Sequence, residues 1–268
     1  MYLPEIMAHT RTVVAERKAV ADVRALEAAA AMHVPRGFAR ALRAKTEAEG
    51  LAVIAELKKA SPSKGVIRDE FDVVEIALQL EAGGAAALSV LTDERFFQGS
   101  LENLRKASAA VWLPCLRKDF MVDEFQVLEA RANRADAILL IVAALTDVEL
   151  KTLRASARSH GLDVLCEVHD AEELERALEL ECECVGVNSR DLKTFEVSLE
   201  RACELAQRLP KSAVRVAESG IHTQADMHRL RVAGYEAFLI GESLMRESRP
   251  GGALAHLLRK EENEPACS

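Results

Sequence analysis

At 268 residues, 49% hydrophobic and 29% charged, the chain can bury a large core and fits one α/β barrel or two smaller domains. Its 43 acidic against 35 basic side chains give a formal charge of -8, which argues against a general nucleic-acid or anionic-membrane surface and leaves a small anion as a partner only where positive groups gather locally. The six cysteines show no CxxC spacing and read as buried free thiols, and no stretch approaches the ~18 uncharged apolar residues of a membrane span, so a cytoplasmic protein is expected.

Residues 1–50, rich in Ala, Arg and Glu, are helical in pattern and broken around Pro35 and Gly37. One long helix is predicted from Pro4 to Met32 and a second from Arg36 or Gly37 to Glu49. Such a segment suits either a cap over one end of a domain or a dimerisation element, in a monomer or weak homodimer. A catalytic unit is predicted over 51–260, and the final EENEPACS, 261–268, reads as a polar tail.

From Val53 onward, short apolar runs alternate with amphipathic helices. The predicted strands are Val53–Leu57, Ala86–Leu91, Trp112–Arg117, Ala137–Val142, Asp163–Val168, Cys184–Val187, Val214–Ala217 and Ala237–Ile240. A helical stretch follows each, beginning near Asp72, Leu101, Glu124, Asp147, Ala171, Ser198, Thr223 and Gly252. This series has the pattern of a (β/α)8 TIM barrel. A doubly wound sheet would use fewer units and an early phosphate loop, and the early loop here, SPSKG, is not GxGxxG.

In such a barrel the chemistry sits at the C-terminal strand ends. Alternation puts Ile54, Glu56 and Lys58 on one face, and pairs Lys118 with Leu116, Glu167 with Leu165 and Glu218 with Val216, all inward if the apolar partners are core. These charges come from strands 1, 3, 5 and 7, as one shared layer around a cavity would. Three carboxylates could suggest an oxygen-ligand metal site, but the interleaved lysines can neutralise them without one, and neither metal nor cofactor is expected. Asp93, Asp119, Asp123 and Glu124 are expected to be solvated loop residues.

ESGIHT follows strand 7, and LIGESLM carries strand 8 into a short helix. Loops at these two places form the recurring phosphate cradle of the fold, with Gly220 and Gly241 as backbone donors and Ser219 as an added hydroxyl; each glycine alone could equally be a turn. Phe96, Phe97, Phe120, Pro62 and Leu192 sit where a ring could bind, or where a loop could anchor on the barrel top. His33, His160 and His222 read as surface or cap residues. His169 is placed to enter the site or to pack in its loop, and packing is the expectation.

The stretches IAELKKASPSKG, TDERFFQGS, LPCLRKDF, CEVH, VNSRDL, ESGI and LIGESLM, from about Val53 to Met245, resemble the indole-3-glycerol phosphate synthase family in order and strand position. The resemblance implies that 1-(2-carboxyphenylamino)-1-deoxyribulose 5-phosphate, a small phosphorylated anion, is closed to an indole with loss of CO2 and water. It implies Lys118, Glu167, Lys58 and Glu56 as catalytic residues: Lys118 protonating or hydrogen-bonding the C2' carbonyl, Glu167 as general acid/base, and Glu56 orienting a Lys58 that faces the substrate carboxylate. Asn188 and Glu218 would hold sugar hydroxyls and the closing ring, with Ser61 and Arg190 also in contact with substrate. Pro62, Phe97, Phe120 and Leu192 would hold the anthranilate ring. Ser219, Gly220, Gly241 and Glu242 would surround the phosphate.

Two positions depart from the pattern. Glu242 stands where many relatives carry Ser, and a carboxylate beside phosphate is unwelcome unless only its N–H is used. Ser189 stands where a second Asn is common. A phosphoribosylanthranilate isomerase is a neighbouring alternative that should present a Cys/Asp pair instead of Glu56, Lys58 and Lys118. A non-catalytic partner protein on the same scaffold is an alternative of another class, and its charged layer should be eroded.

Overall fold

Runs such as AVIAEL, AILLI and DVLCEV are buried along nearly their whole length, as strands are when covered on both faces. The computed structural model describes residues 3–191 and 196–259. Among them, eight parallel strands close into a barrel: β1 (Ala52–Leu57), β2 (Ala87–Leu91), β3 (Cys115–Lys118), β4 (Ala137–Ile141), β5 (Asp163–Val168), β6 (Cys184–Asn188), β7 (Val214–Glu218) and β8 (Ala237–Ile240). Each strand pairs with its neighbours in sequence, and β1 closes the ring on β8 with Ala55 opposite Ile240. The architecture is the (β/α)8 TIM barrel the alternation predicts.

Besides single helical turns at Glu94–Phe97 and Glu242–Met245, the described helices are α1 (Leu3–Val20), α2 (Val23–Ala31), α3 (Phe38–Glu49), α4 (Val73–Ala82), α5 (Leu101–Ala110), α6 (Glu124–Ala132), α7 (Asp147–Ser159), α8 (Ala171–Leu178), α9 (Leu199–Ala206), α10 (Gln224–Ala233) and α11 (Pro250–Leu257). From α4 to α10 each starts behind an Asp, Ser or Thr whose side chain accepts a first-turn N–H: Asp72, Ser100, Asp123, Thr146, Asp170, Ser198 and Thr223. A cap of this kind contributes about 1 kcal/mol and fixes where each strand-to-helix loop ends.

The predicted helix from Pro4 to Met32 is two helices. Asp22 accepts from the Ala25 N–H and starts α2, because a short acidic side chain competes better as a cap than as a helix-interior residue. The predicted strand start at Trp112 is also displaced. Trp112 is 90% exposed and donates its backbone N–H to Glu81, and the ladder begins at Cys115, opposite Leu88.

Strand alternation sorts the apolar residues into two regions. Val53, Ala55, Leu57, Leu140 and Cys166 pack outward under the helices, while Ile54, Leu116, Leu139, Leu165 and Val216 fill the barrel interior. Phe38, Ala39 and Leu42 of α3 join the interior group with Ala52, Ala137 and Ala237 from the strand beginnings, so this helix plugs the N-terminal end of the barrel. At the opposite end, Leu3 and Ile6 of α1 reach the cavity mouth. Cys115, Cys166, Cys182 and Cys184 are buried free thiols and Cys203 is a half-buried one. Cys267 and the 261–268 segment lie outside the described residues. No helix among the described residues is long and apolar enough to cross a membrane.

The chain between α2 and α3 is tied to the barrel by Asp136, which is fully buried. Its carboxylate receives the Arg36 guanidinium at 2.6 Å and the backbone N–H groups of Arg36 and Cys115 at 2.6 and 2.7 Å, and it lies 3.3 Å from His33 Nε2. Of the two readings of His33, surface or cap residue, burial against Asp136 rules out the first, and the residue lies in the N-terminal segment that covers the barrel end. Burial alone would raise the Asp136 pKa, yet His33 and Arg36 outweigh it and hold the group below the usual carboxylate range. The sign follows: this contribution is present above about pH 4 and is lost as pH falls through the depressed folded value. Asp136→Ala should cost about 3–5 kcal/mol in urea unfolding at neutral pH. Asp136→Asn should flatten the fall of stability with acid relative to the natural chain.

Candidate active site

The C-terminal ends of the strands surround one cavity, lined by Glu56, Lys58, Lys118, Glu167, Asn188 and Glu218 at its floor and by residues 61–63, Phe97, Phe120, Arg190, 219–222 and 240–243 at its walls. Inward alternation brings the charges together as expected. Lys118 Nζ lies 2.7 Å from Glu167 Oε2 and 3.3 Å from Glu218 Oε2, and Lys58 Nζ lies 2.6 Å from Glu56 Oε1. Asn188 donates its Nδ2 to Glu167 Oε1 at 3.0 Å, so the two Glu167 oxygens serve different partners.

Burial opposes the charge on Lys118, but Glu167, Glu218 and Glu56 together hold its ammonium well above the ordinary lysine pKa. Glu167 is likewise penalised by burial and stabilised more strongly by Lys118 and His169, which keeps it ionised far below the usual range. Glu218 goes the other way: burial and the negative charges of Glu167 and Glu56 outweigh Lys118 and push it up to about 8. Two carboxylates that share one ammonium thus differ in state, with Glu167 ionised and Glu218 holding a proton at neutral pH.

Missing side chains make room for these groups. A Cβ on Gly186 of β6 would collide with Glu218 Oε1, and a Cβ on Gly241 would collide with Glu56 Oε1. Gly241, read from sequence as a backbone donor, thus also lets Glu56 lie flat against its Cα. Ser219 and Gly220 adopt left-handed φ of 66 and 74, the sharp turn that brings the loop after β7 back over the cavity. Gly241 precedes the helical turn Glu242–Met245. The Glu242 carboxylate is held by Arg246 at 2.8 Å and lies 3.7 Å from Arg190, which keeps it ionised against its partial burial.

On the apolar wall, the Phe97 and Phe120 rings stand 6.3 Å apart, tilted by 41°. Phe96 turns away and packs edge-on against His9 of α1, so it anchors the loop and is not a ring contact. Pro62 lines the cavity beside Ser61, whose buried Oγ has no protein partner among the described residues. Leu192 lies outside the described residues. Among the described residues no cluster of three or more His, Cys, Asp and Glu is arranged to hold a metal.

Sequence reasoning missed several neighbours. Asp119, expected in solvent, is buried and accepts from Thr92 Oγ1 at 2.6 Å and from the fully buried Arg117 at 2.8 Å. Arg117 points outward to Gln126 O and Glu129, and Glu129 also pairs with Arg17 of α1, so the outer face of β3 is fixed by charge while Lys118 points inward. Arg117, two residues before Asp119 on the helix-facing side of an otherwise apolar strand, was the available signal. Asp93 and Asp123 serve as caps, Asp123 also pairing with Lys18.

A model of indole-3-glycerol phosphate synthases matches residues 3–257. The chain belongs to this family. It is 58% identical over 256 residues to the indole-3-glycerol phosphate synthase of Koribacter versatilis, covering 96% of this chain and 98% of that one. It is 51% identical over 256 residues to that of Acidithiobacillus ferrooxidans, at 95% and 97% coverage. Among solved structures, 3-hexulose-6-phosphate synthase superposes with a TM-score of 0.62 at 13% identity, over 78% of this chain and 98% of that one. Thiamine phosphate pyrophosphorylase from Pyrococcus furiosus gives 0.59 at 17%, over 78% and 94%. These two likenesses establish the barrel alone. The family membership extends through the N-terminal helices as well as the barrel. Within this indole-3-glycerol phosphate synthase relative, infrared spectra should contain a protonated carboxyl band at pH 6.5 that disappears as pH rises through about 8 and is absent in Glu218→Gln. A band that survives in Glu218→Gln would assign the proton elsewhere.

Proposed function

We propose that the protein closes 1-(2-carboxyphenylamino)-1-deoxyribulose 5-phosphate to indole-3-glycerol phosphate, releasing CO2 and water, as a carbon–carbon lyase of tryptophan biosynthesis acting in the cytoplasm. The observation that carries the reading is Lys118, a largely buried ammonium between Glu167 and Glu218, in a cavity that the Lys58–Glu56 pair and the Phe97 and Phe120 rings also line.

In ring closure, the ring carbon bearing the carboxylate attacks the C2' carbonyl carbon. Lys118 gives a proton to the developing alkoxide, which becomes a hydroxyl. A strongly basic alkoxide is the acceptor that a high-pKa ammonium can protonate, so the raised value of Lys118 suits this step better than protonation of a neutral ketone. The carboxylate leaves as CO2, and its bonding electrons restore conjugation in the ring. Expulsion of the C2' hydroxyl as water and removal of a substrate proton complete the indole, with Glu167 as the general acid/base.

Lys58, oriented by Glu56, faces the anthranilate carboxylate. Asn188 and Glu218 hold the sugar hydroxyls, with Ser61 and Arg190 adding contacts. Ser219, Gly220 and Gly241 take the phosphate through backbone N–H groups and a hydroxyl. Glu242 contributes only its N–H there, its carboxylate being engaged by Arg246. Pro62, Phe97 and Phe120 hold the aromatic ring, and Leu192 is assigned to the same wall from its place in the sequence. The described cavity lining contains no cysteine, which disfavours the Cys/Asp chemistry of an isomerase.

Lys118→Ala should lower kcat by at least about 100-fold while moving KM much less, measured by the rise of indole fluorescence from the carboxyphenylamino substrate. Near-normal turnover would remove Lys118 from the acid role. Inorganic phosphate should compete with substrate, raising apparent KM at constant kcat, and the absence of competition at high concentration would remove the cradle.

A further inference from the structure

Behind Glu167, and outside the cavity lining, sits His169, buried at 7% exposure. Its Nδ1 lies 3.0 Å from Glu173 Oε2, the same oxygen that accepts the His169 backbone N–H at 2.8 Å. Glu173 is in the first turn of α8, where Asp170 caps its N–H, so the imidazole is clamped from the side away from the cavity. Its Nε2 faces Glu167 Oε1 at 3.3 Å, an ion-pair distance without hydrogen-bond alignment. The charged groups facing the ring are therefore Glu167 from its own strand and Glu173 from α8.

The partners of Glu167 divide by oxygen. Oε2 meets Lys118, while Oε1 meets Asn188 and His169. If Lys118 turns to a substrate oxygen, Oε2 loses its cation, and a buried carboxylate left with only a neutral amide would take up a proton. A second cation on Oε1 prevents this.

We propose that His169 is a positioning residue, an imidazolium bridging Glu167 and Glu173 that keeps Glu167 ionised and aimed while Lys118 serves the substrate. Burial lowers the His169 pKa, and its two carboxylate partners outweigh that and raise it to about 10, so the ring is charged throughout the neutral range. The proposal rests on the assignment of Lys118 and Glu167 to the proton transfers.

The test uses the full chain and the indole fluorescence assay, with His169→Gln, which keeps a donor without a charge, and Glu173→Gln, which keeps an acceptor without a charge. His169→Gln should lower kcat about 10-fold with KM within about 3-fold, and should move the acid limb of kcat upward by about one pH unit, because Glu167 without its second cation is protonated more easily. In Glu173→Gln the imidazolium loses a partner and its proton at lower pH, so the alkaline fall of kcat should begin about one unit earlier. Lys118→Ala and Glu167→Gln serve as references. If both references lose turnover while both glutamine variants of the His169–Glu173 pair keep natural kcat and pH limbs, the positioning role is overturned and the site assignment stands. A lowered Tm with unchanged pH limbs also overturns it, in favour of a packing role. If the references retain turnover, the site assignment falls and the positioning role with it.

Discussion

Lys118 is the constraint on which the upper half of the barrel depends. An ammonium withdrawn from water loses several kcal/mol of solvation, and a single partner at about 4 Å returns only ~4 kcal/mol at an effective dielectric of 20. Glu167 must therefore be joined by the charge of Glu56 and by Glu218 Oε2 as an acceptor, which requires β1, β3, β5 and β7 to present inward side chains at one level. The closed parallel sheet does this through its register, with Asn188 opposite Glu218 and Gly186 opposite Glu167. The arrangement is poor as a source of stability and suited to chemistry, since it holds groups of opposed protonation state within reach of one bound molecule.

Space for that layer comes from what the neighbouring strands omit. Gly186 and Gly241 leave out the Cβ atoms that would strike Glu218 and Glu56, so the carboxylates lie flat instead of filling the cavity. The barrel below is closed by Phe38 and Leu42 of α3, and its mouth is bordered by Leu3 and Ile6 of α1. The N-terminal segment thus bounds both ends of the interior, and the Asp136–Arg36 cluster fastens the part that plugs the bottom. Neither of the two sequence expectations for it, a cap on one end or a dimerisation element, anticipated contacts at both ends.

The cavity lining is also mixed in character. Phe97, Phe120 and Pro62 give its lining an apolar part, and the turn at Ser219 and Gly220 gives it a polar backbone part. Under the proposed function, a substrate with an aromatic ring at one end and a phosphate at the other would be held at both ends, with its central carbonyl near the lysine. Much of the barrier reduction would come from this orientation, with Lys118 and Glu167 contributing at the reacting atoms.

The sequence by itself determined the eight strand-helix units, the inward set of Glu56, Lys118, Glu167 and Glu218, and the two glycine-bearing loops after β7 and β8. These are local facts, because alternation along a strand and caps at helix starts are written within a few residues. It also carried the family, since the spacing of its motifs follows the strand ends. Only the tertiary structure decided that Asp119 is buried against Arg117 at the end of β3, that Phe96 turns to His9, that His33 supports Asp136, and that His169 stands between Glu167 and Glu173. It also separated the protonation states of Glu167 and Glu218, which look alike in sequence. The physical reason is common to all of these: the state of a charged or aromatic side chain depends on neighbours from distant segments and on exclusion of water, and neither exists until the barrel has closed.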